Sequence, residues 1–134
     1  MNYYNEIKNK LIDNEVYKRV KDYSKNRNDL NTYYEVGKLL IEAQGGENRA
    51  KYGNGLIKEY SKRLTSELGK GYTFIALSRM RQFYVLSEKV ATLSQQLSWS
   101  HYSELLSLND VNEINYYISI TESYNLSVRE LREK

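Results

Sequence analysis

The absence of proline is the feature that most constrains how this chain can fold. Proline breaks helices from within, and none occurs among the 134 residues. Only seven glycines are present, so long helices can run with few interruptions. No stretch shows strand-like alternation of useful length. We therefore predict an all-α fold, in which residues 1–134 form a single compact domain of five to seven helices.

The clearest helical pattern runs from Leu30 to Ile41. Positions 30, 33, 34, 37, 40 and 41 follow the spacing i, i+3, i+4, i+7, i+10, i+11, which places them on one face of a helix. Gly37 lies inside this stripe. A glycine in the middle of a helix costs about 1 kcal/mol relative to alanine, so we predict that Gly37 lets another helix approach closely.

The ends of the first two helices are predicted from polar and glycine residues. A first helix is expected over residues 2–25, followed by a polar break at residues 26–29 that offers good N-cap residues. Gly45-Gly46 is expected to end the second helix.

Capping residues also predict short helices in the last third of the chain. Ser100 and Asn109 are candidate N-caps. Ser127 and Glu130 match a capping box. The helix that begins there, at residues 127–134, is expected to be a terminal cap or the start of a linking helix.

Residues 54–88 are predicted to form a helix-turn-helix-like unit. Two amphipathic helical patterns meet there across the four-residue turn 69–72, in which Gly69 and Gly71 can supply positive φ angles. Thr73 is the candidate N-cap of the second helix. Many proteins present a helix to DNA by this arrangement, so DNA binding is the leading hypothesis.

The helix after the turn, from Thr73 to Lys89, is predicted to face DNA. At about 100° per residue, apolar residues fall on one side and a mixed set falls on the other. Ile75 and Leu86 make the outer side more apolar than a simple DNA-reading face. The predicted inner side holds Phe74, Leu77, Met80 and Tyr84, and the predicted outer side holds Ile75, Ser78, Arg79, Gln82 and Leu86.

Positive charge is concentrated in the middle of the chain. The formal net charge is +3, but residues 49–90 carry 9 Lys/Arg and 3 Asp/Glu, a net charge of +6. Residues 1–48 carry 8 of each, and residues 91–134 carry 3 basic and 6 acidic side chains, a net charge of −3. A basic segment beside an acidic one is typical of a module that places one face against phosphates. The same pattern is also common on solvated helix surfaces.

The basic side chains of this segment are the predicted nucleic-acid-binding residues. They would neutralise phosphates, which gives affinity without sequence choice. Arg79 and Gln82, one helical turn apart, have the chemistry to recognise guanine and adenine edges. The predicted set is Arg49, Lys51, Lys58, Lys62, Arg63, Lys70, Arg79, Arg81 and Gln82.

A protein-interaction or dimerisation module is the alternative interpretation. Ile75, Leu86, the terminal helix and a surface rich in the 14 tyrosines could form a dimer or dock a partner. The tyrosines are equally explained as core side chains whose hydroxyls reach the rim. The partners predicted are DNA, a second copy of the chain, and a nuclease or restriction–modification protein.

Catalysis by this chain alone is not expected. Cysteine is absent, and no motif predicts a metal or cofactor site. The single histidine, His101, is predicted to be structural, with its ring bonded to a backbone group. Glu6-Ile7-Lys8 fits the ExK element of metal-dependent nucleases, but no acidic strand precedes it. Gly69-Lys70-Gly71 lacks the length of a P-loop.

Membrane insertion and secretion are not expected either. No run of about 18 apolar residues occurs, and the N-terminus lacks the apolar core of a signal peptide. The sequence therefore predicts a cytoplasmic protein.

Six segments in a fixed order carry a family resemblance. They are Tyr33-Tyr34-Glu35-Val36-Gly37-Lys38, Tyr52-Gly53, Leu68-Gly69-Lys70-Gly71-Tyr72, Arg79-Met80-Arg81-Gln82-Phe83-Tyr84, Leu97-Ser98-Trp99-Ser100-His101-Tyr102 and Ser127-Val128-Arg129-Glu130-Leu131. In this order and spacing they resemble the N-terminal domain of the YhcG-like family, also called the DUF1016 family. The likeness covers residues 10–134.

The resemblance implies a helical domain that, in bacterial proteins, is joined to a C-terminal nuclease domain of the PD-(D/E)XK type that acts on DNA. Such proteins are often encoded near restriction–modification genes. The nuclease carboxylates and lysine would lie beyond Lys134, so the chain is expected to be no enzyme and to hold no catalytic or metal-binding residue. For this chain the resemblance implies a module that binds DNA, joins subunits or holds a nuclease.

Overall fold

The computed structural model describes residues 2–20, 25–46, 55–89, 97–108 and 110–134. These ranges contain seven α-helices and no strand, which confirms the all-α prediction. None of the seven described helices is long and apolar enough to cross a lipid bilayer. In chain order they are α1 (Tyr3–Val20), α2 (Lys25–Ala43), α3 (Gly55–Leu68), α4 (Phe74–Lys89), α5 (Trp99–Leu105), α6 (Val111–Tyr124) and α7 (Val128–Arg132).

Helix α2 is the centre of the bundle, because it packs extensively against both α1 and α4. Its side chains Val36 and Leu40 are completely buried. Between them, Gly37 lies against the backbone of α4, where an added Cβ atom would be only 2.2 Å from the carbonyl oxygen of Met80. The predicted close approach at Gly37 is therefore confirmed, and its partner is α4.

The remaining helices close around this three-helix centre. Helix α3 packs on α4 and α1, and α5 packs on α2 and α7. All seven helices contribute to one hydrophobic core, including the short terminal helix α7 through Leu131. The buried face of α3 follows its predicted stripe, with Ile57, Tyr60 and Leu64 inside.

Aromatic rings join α2, α4 and α5. The ring centroid of Trp99 lies 4.6 Å from that of Tyr33 and 5.3 Å from that of Phe83. Phe83 also lies 5.1 Å from the fully buried ring of Tyr102. Tilted and edge-on contacts at these distances are the favourable geometries for aromatic pairs. This cluster fixes the short helix α5 against the two long helices.

Tyrosine hydroxyls at the rim of the core donate to glutamates. Tyr34 Oη donates to Glu88 Oε1 at 2.8 Å, and the carboxylate raises the pKa of Tyr34 to about 12. Tyr72 donates to Glu15. Burial, followed by this bond, raises the pKa of the Tyr72 hydroxyl. These tyrosines match the expected pattern of a buried ring with its hydroxyl at the edge.

The predicted polar break at residues 26–29 is wrong, because α2 already begins at Lys25. Asn and Asp are tolerated in a first helical turn, where backbone N–H groups have no partner within the helix. Asp29 is buried and accepts a hydrogen bond from Asn14 Nδ2 at 3.2 Å. Asp29, which the sequence pattern assigns to a break between helices, therefore lies within α2 and forms a tertiary contact with α1.

The N-cap of α5 lies two residues before the predicted one. Ser98, and not Ser100, is the N-cap, and its side chain accepts from the backbone N–H of His101. The His101 side chain accepts in return from the Ser98 N–H, which completes a capping box with histidine in the place of the usual Glu or Gln. The earlier start puts Trp99 inside the helix, where it joins the aromatic cluster.

The last two helices begin at well-defined caps. Asp110 caps α6 by accepting from the Asn112 N–H, and the predicted cap Asn109 lies outside the described residues. The capping box of Ser127 and Glu130 at the start of α7 is confirmed. Helix α7 thus forms as predicted, whereas its role as a linking helix stays a prediction.

Candidate nucleic-acid interface

The turn between α3 and α4 forms as the glycine pattern predicts. Gly69 and Gly71 have φ angles of 98° and 113°, a region that favours glycine. Thr73 Oγ1 accepts from the Ala76 N–H at 3.0 Å, which confirms Thr73 as the N-cap of α4. The two helices are thus joined by a short, locally determined connection.

Side-chain contacts hold this turn against the domain. Ser61 Oγ in α3 donates to the carbonyl oxygen of Tyr72 at 2.7 Å. Tyr72 itself is buried, and its hydroxyl bond to Glu15 ties the turn to α1. Because the turn is fixed from both sides, charged groups around it have defined positions.

Three exposed lysines border the turn. Lys58 and Lys62 are four residues apart, on the flank of α3 that also carries Ser61, while Lys70 lies in the turn itself. Lys58 Nζ lies 5.7 Å from the ring centroid of Phe74, the first residue of α4. Among the described residues, no carboxylate forms an ion pair with any of the three lysines. We call Lys58, Lys62 and Lys70 the basic turn surface.

Arg63 lies on the other flank of α3, toward α1. Its guanidinium carbon is 3.6 Å from the ring centroid of Tyr4, a cation–π contact. Tyr4 Oη donates to Glu67 Oε1 at 2.9 Å, and Lys8 forms an ion pair with Glu67. Lys8 and Tyr4 together lower the pKa of the Glu67 carboxyl. Arg63 therefore belongs to a cluster that joins α1 to α3, and not to the basic turn surface.

The two arginines of α4 leave the helix on different sides. Arg79 and Arg81 are about 160° apart around the helix axis, and both are half-buried. The hydrogen bond from Arg132 to Glu104, and more weakly the charge of Arg79, lower the pKa of the Glu104 carboxyl. The charge of Arg79 is therefore felt at Glu104 of α5, while Arg81 shares a flank with Glu88.

The outward side of α4 is only partly as predicted. Gln82 is exposed, and Ile75 is 67% exposed. Leu86, predicted to lie outside, is buried, and so is Phe83, which the pattern assigned to neither side. Because α4 packs on α2 and on the aromatic cluster with α5, its buried side chains are spread over about half of its circumference. The division of α4 into one inner and one outer side therefore could not predict which side chains are buried.

The predicted nucleic-acid-binding residues are thus distributed over several places. Arg49 and Lys51 lie outside the described residues. Lys58 and Lys62 lie on one flank of α3 and Lys70 lies in the turn, whereas Arg63 packs on Tyr4 and the two α4 arginines leave their helix on different sides. Glu104, which pairs with Arg132 and whose pKa is weakly lowered by the charge of Arg79, was missed because it is 28 and 25 residues from them along the chain, where no local pattern can find it.

His101 has the structural role that the sequence predicts. Its Nδ1 accepts from the Ser98 N–H at 3.1 Å, so the ring proton is on Nε2, which donates to the carbonyl oxygen of Leu126 at 2.8 Å. Both ring nitrogens are thereby bonded to backbone groups. Within the described part of the chain, no cluster of three or more His, Asp or Glu side chains could hold a metal ion.

Comparisons with known proteins agree with the family resemblance. The family model described as the DUF1016 N-terminal domain matches residues 7–134. The protein named "Putative nuclease YhcG" from Escherichia coli (strain K12) is 41% identical over 71 residues, which is 50% of this chain and 19% of that protein. The match thus spans about a fifth of the length of this relative. No solved structure matches.

Proposed function

The chain belongs to the DUF1016 N-terminal domain family, and on that premise we propose that it is a non-catalytic module that binds double-stranded or branched DNA and directs a nuclease to it. The relative from Escherichia coli is named as a nuclease, and the substrate of a nuclease is a polyanion. A basic module joined to such an enzyme, or docked on it, adds affinity for the same polyanion without taking part in the chemistry.

The basic turn surface is the observation that carries this proposal. Its three lysines are exposed, lie around one fixed turn, and have no carboxylate partner among the described residues. The turn also precedes α4, whose N-terminal end carries the positive end of the helix dipole. Phosphates placed there would meet several positive charges at once, which is the usual origin of sequence-independent binding.

Sequence readout is a smaller part of the proposal. Gln82 is exposed on α4 and can bond an adenine edge. Arg79, one turn away, is half-buried, which limits its access to a base edge. We therefore propose that phosphate contacts dominate and that the preference for particular bases is weak.

Charge reversal at two lysines tests the proposal. Lys62→Glu with Lys70→Glu changes exposed side chains that have no packing role, so the fold should be retained. Each lost phosphate contact reduces the slope of log affinity against log salt by about 0.9, so the slope should fall by about 2 and the affinity at low salt by at least about tenfold. Fluorescence anisotropy with a labelled duplex, repeated over a salt series, measures both.

Lys38→Glu with Lys89→Glu is the matched control, because it makes the same change in net charge at exposed positions of α2 and α4. This control should bind almost as tightly as the unmodified chain. Equal loss in both double variants would mean that only overall charge matters, and unchanged affinity for Lys62→Glu with Lys70→Glu would refute the proposed surface.

The alternative function is a protein–protein interaction or dimerisation module, which rests on Ile75, Leu86, the terminal helix and a tyrosine-rich surface. The burial of Leu86 leaves Ile75 as the only large exposed apolar side chain among the described residues of α4, which weakens the part of this alternative that uses the outer side of α4.

A further inference from the structure

Ile75 is the only large exposed apolar side chain among the described residues of α4. It is 67% exposed, while its neighbours Phe74 and Leu77 pack against or within the core. Single exposed apolar residues are common on protein surfaces, so exposure alone assigns no role to Ile75. Its position is more informative, because Ile75 lies in the first turn of the helix that directly follows the glycine turn.

Ile75 shares one side of α4 with Gln82. Seven residues carry an α-helix through two full turns less about 20°, so the two side chains lie almost in line, about 10 Å apart along the helix axis. Gln82 is exposed as well, whereas Ser78 and Arg79 between them are half-buried. The accessible ridge along this part of α4 therefore has an apolar side chain at one end and an amide at the other.

The segment that carries this ridge has no carboxylate of its own. From Gly69 to Ser87 the sequence contains Lys70, Arg79 and Arg81 and no Asp or Glu. A duplex that approaches the ridge therefore meets no negative charge from this segment. The charge of the segment is thus compatible with a close approach to the phosphates on either side of a groove.

In the major groove, an apolar side chain has one favourable partner. The base edges there present hydrogen-bond donors and acceptors, and the C5 methyl group of thymine is the apolar group among them. An isoleucine placed against the polar edges of other bases would displace their water without replacing its hydrogen bonds. In helix-turn-helix proteins the residues that reach base edges lie near the N-terminus of the second helix, which is where Ile75 lies in α4.

We propose that Ile75 contacts the C5 methyl group of a thymine in the major groove, in line with an adenine contact by Gln82. About 10 Å along the helix corresponds to about three base pairs at about 3.4 Å each. The inference rests on the proposed function, with α4 as the helix that faces DNA. It adds a residue that determines base preference to a surface whose lysines supply affinity alone.

Deoxyuridine lacks only the C5 methyl group of thymidine, and it therefore tests this contact directly. An alternating A·T duplex and the same duplex with deoxyuridine in place of every thymidine carry the same phosphates and the same hydrogen-bonding edges. Burial of one methyl group corresponds to about a fourfold gain in affinity, so the unmodified chain should bind the thymine duplex about fourfold more tightly. Fluorescence anisotropy with both labelled duplexes at low salt measures this ratio.

Substitutions at Ile75 show whether this side chain makes the contact. Ile75→Ser should lower the ratio to about 1 and leave the slope of log affinity against log salt unchanged, because the phosphate contacts are kept. Ile75→Val keeps a branched apolar end and should retain most of the ratio. Tyr124→Ser is the matched control, since it removes a side chain that is 75% exposed on α6, and it should bind both duplexes as the unmodified chain does.

The outcomes separate this inference from the proposed function. Equal binding of the two duplexes by the unmodified chain would overturn the inference and leave the proposed function intact. A thymine preference that survives in Ile75→Ser would overturn it as well, because another side chain would then make the contact. Absence of binding to either duplex would refute the proposed function itself, and the inference with it.

Discussion

Gly37 and Met80 mark a close approach between α2 and α4, two helices that pack extensively against each other. An added Cβ on Gly37 would lie 2.2 Å from the carbonyl oxygen of Met80 and 2.9 Å from Tyr84 Cβ. The nearest atom is backbone, so no change of rotamer can relieve the contact. Any larger residue must push α2 away from α4 and loosen the side chains packed between them.

Gly37→Ala should therefore destabilise the protein, although alanine is the better helix former. The gain in helix propensity is about 1 kcal/mol, whereas overpacking a close contact typically costs about 1–3 kcal/mol, and this overlap is severe. We expect the free energy of unfolding to fall by about 2 kcal/mol, measured by urea denaturation. Gly55→Ala, where nothing lies within 4 Å, is the control and should leave stability unchanged or slightly higher. Equal stability of the two variants would mean that α2 and α4 are not in contact there.

At the level of whole helices, sequence patterns correctly predicted the features that depend only on residues close together along the chain. The cap at Thr73, the capping box at Ser127 and the glycine turn all form as expected, because each is a set of hydrogen bonds or φ angles within a few residues. The buried arc of α4 was not predictable in this way. Leu86 and Phe83 are buried because α2 and α5 cover them, and no periodicity within α4 contains that information.

Helix α7 is positioned by contacts from α5 rather than by its own length. It has five residues, too few to be stable alone. Arg132 Nε donates to Glu104 Oε1 at 3.0 Å, and Leu131 is buried in the core. His101 Nε2 donates to the carbonyl oxygen of Leu126, in the loop before α7. The histidine thus connects the start of α5 to the approach to the last helix.

Substitutions of His101 should separate the effects of the two hydrogen bonds that its ring forms, one with the Ser98 N–H and one with the Leu126 carbonyl oxygen. His101→Ala removes both, and we expect a loss of about 1–3 kcal/mol because the Ser98 N–H and the Leu126 carbonyl lose their partner. His101→Gln can restore the capping box with Ser98 but should not reach Leu126. It should therefore recover part of the stability, while hydrogen exchange in α7 stays faster than in the unmodified chain. Full recovery of protection with glutamine would show that the bond to Leu126 is unimportant.

Across the whole molecule, the sequence predicted how charge is divided along the chain but not how it is arranged in space. The middle segment is basic and the last third is acidic, as simple counting shows. Tertiary contacts then involve individual charged side chains: Arg63 packs on the ring of Tyr4, and Arg132 forms an ion pair with Glu104. The lysines of the basic turn surface stay exposed, and no carboxylate among the described residues forms an ion pair with them. Counting charges along the chain could not separate these lysines from Arg63, because the difference lies in contacts between helices.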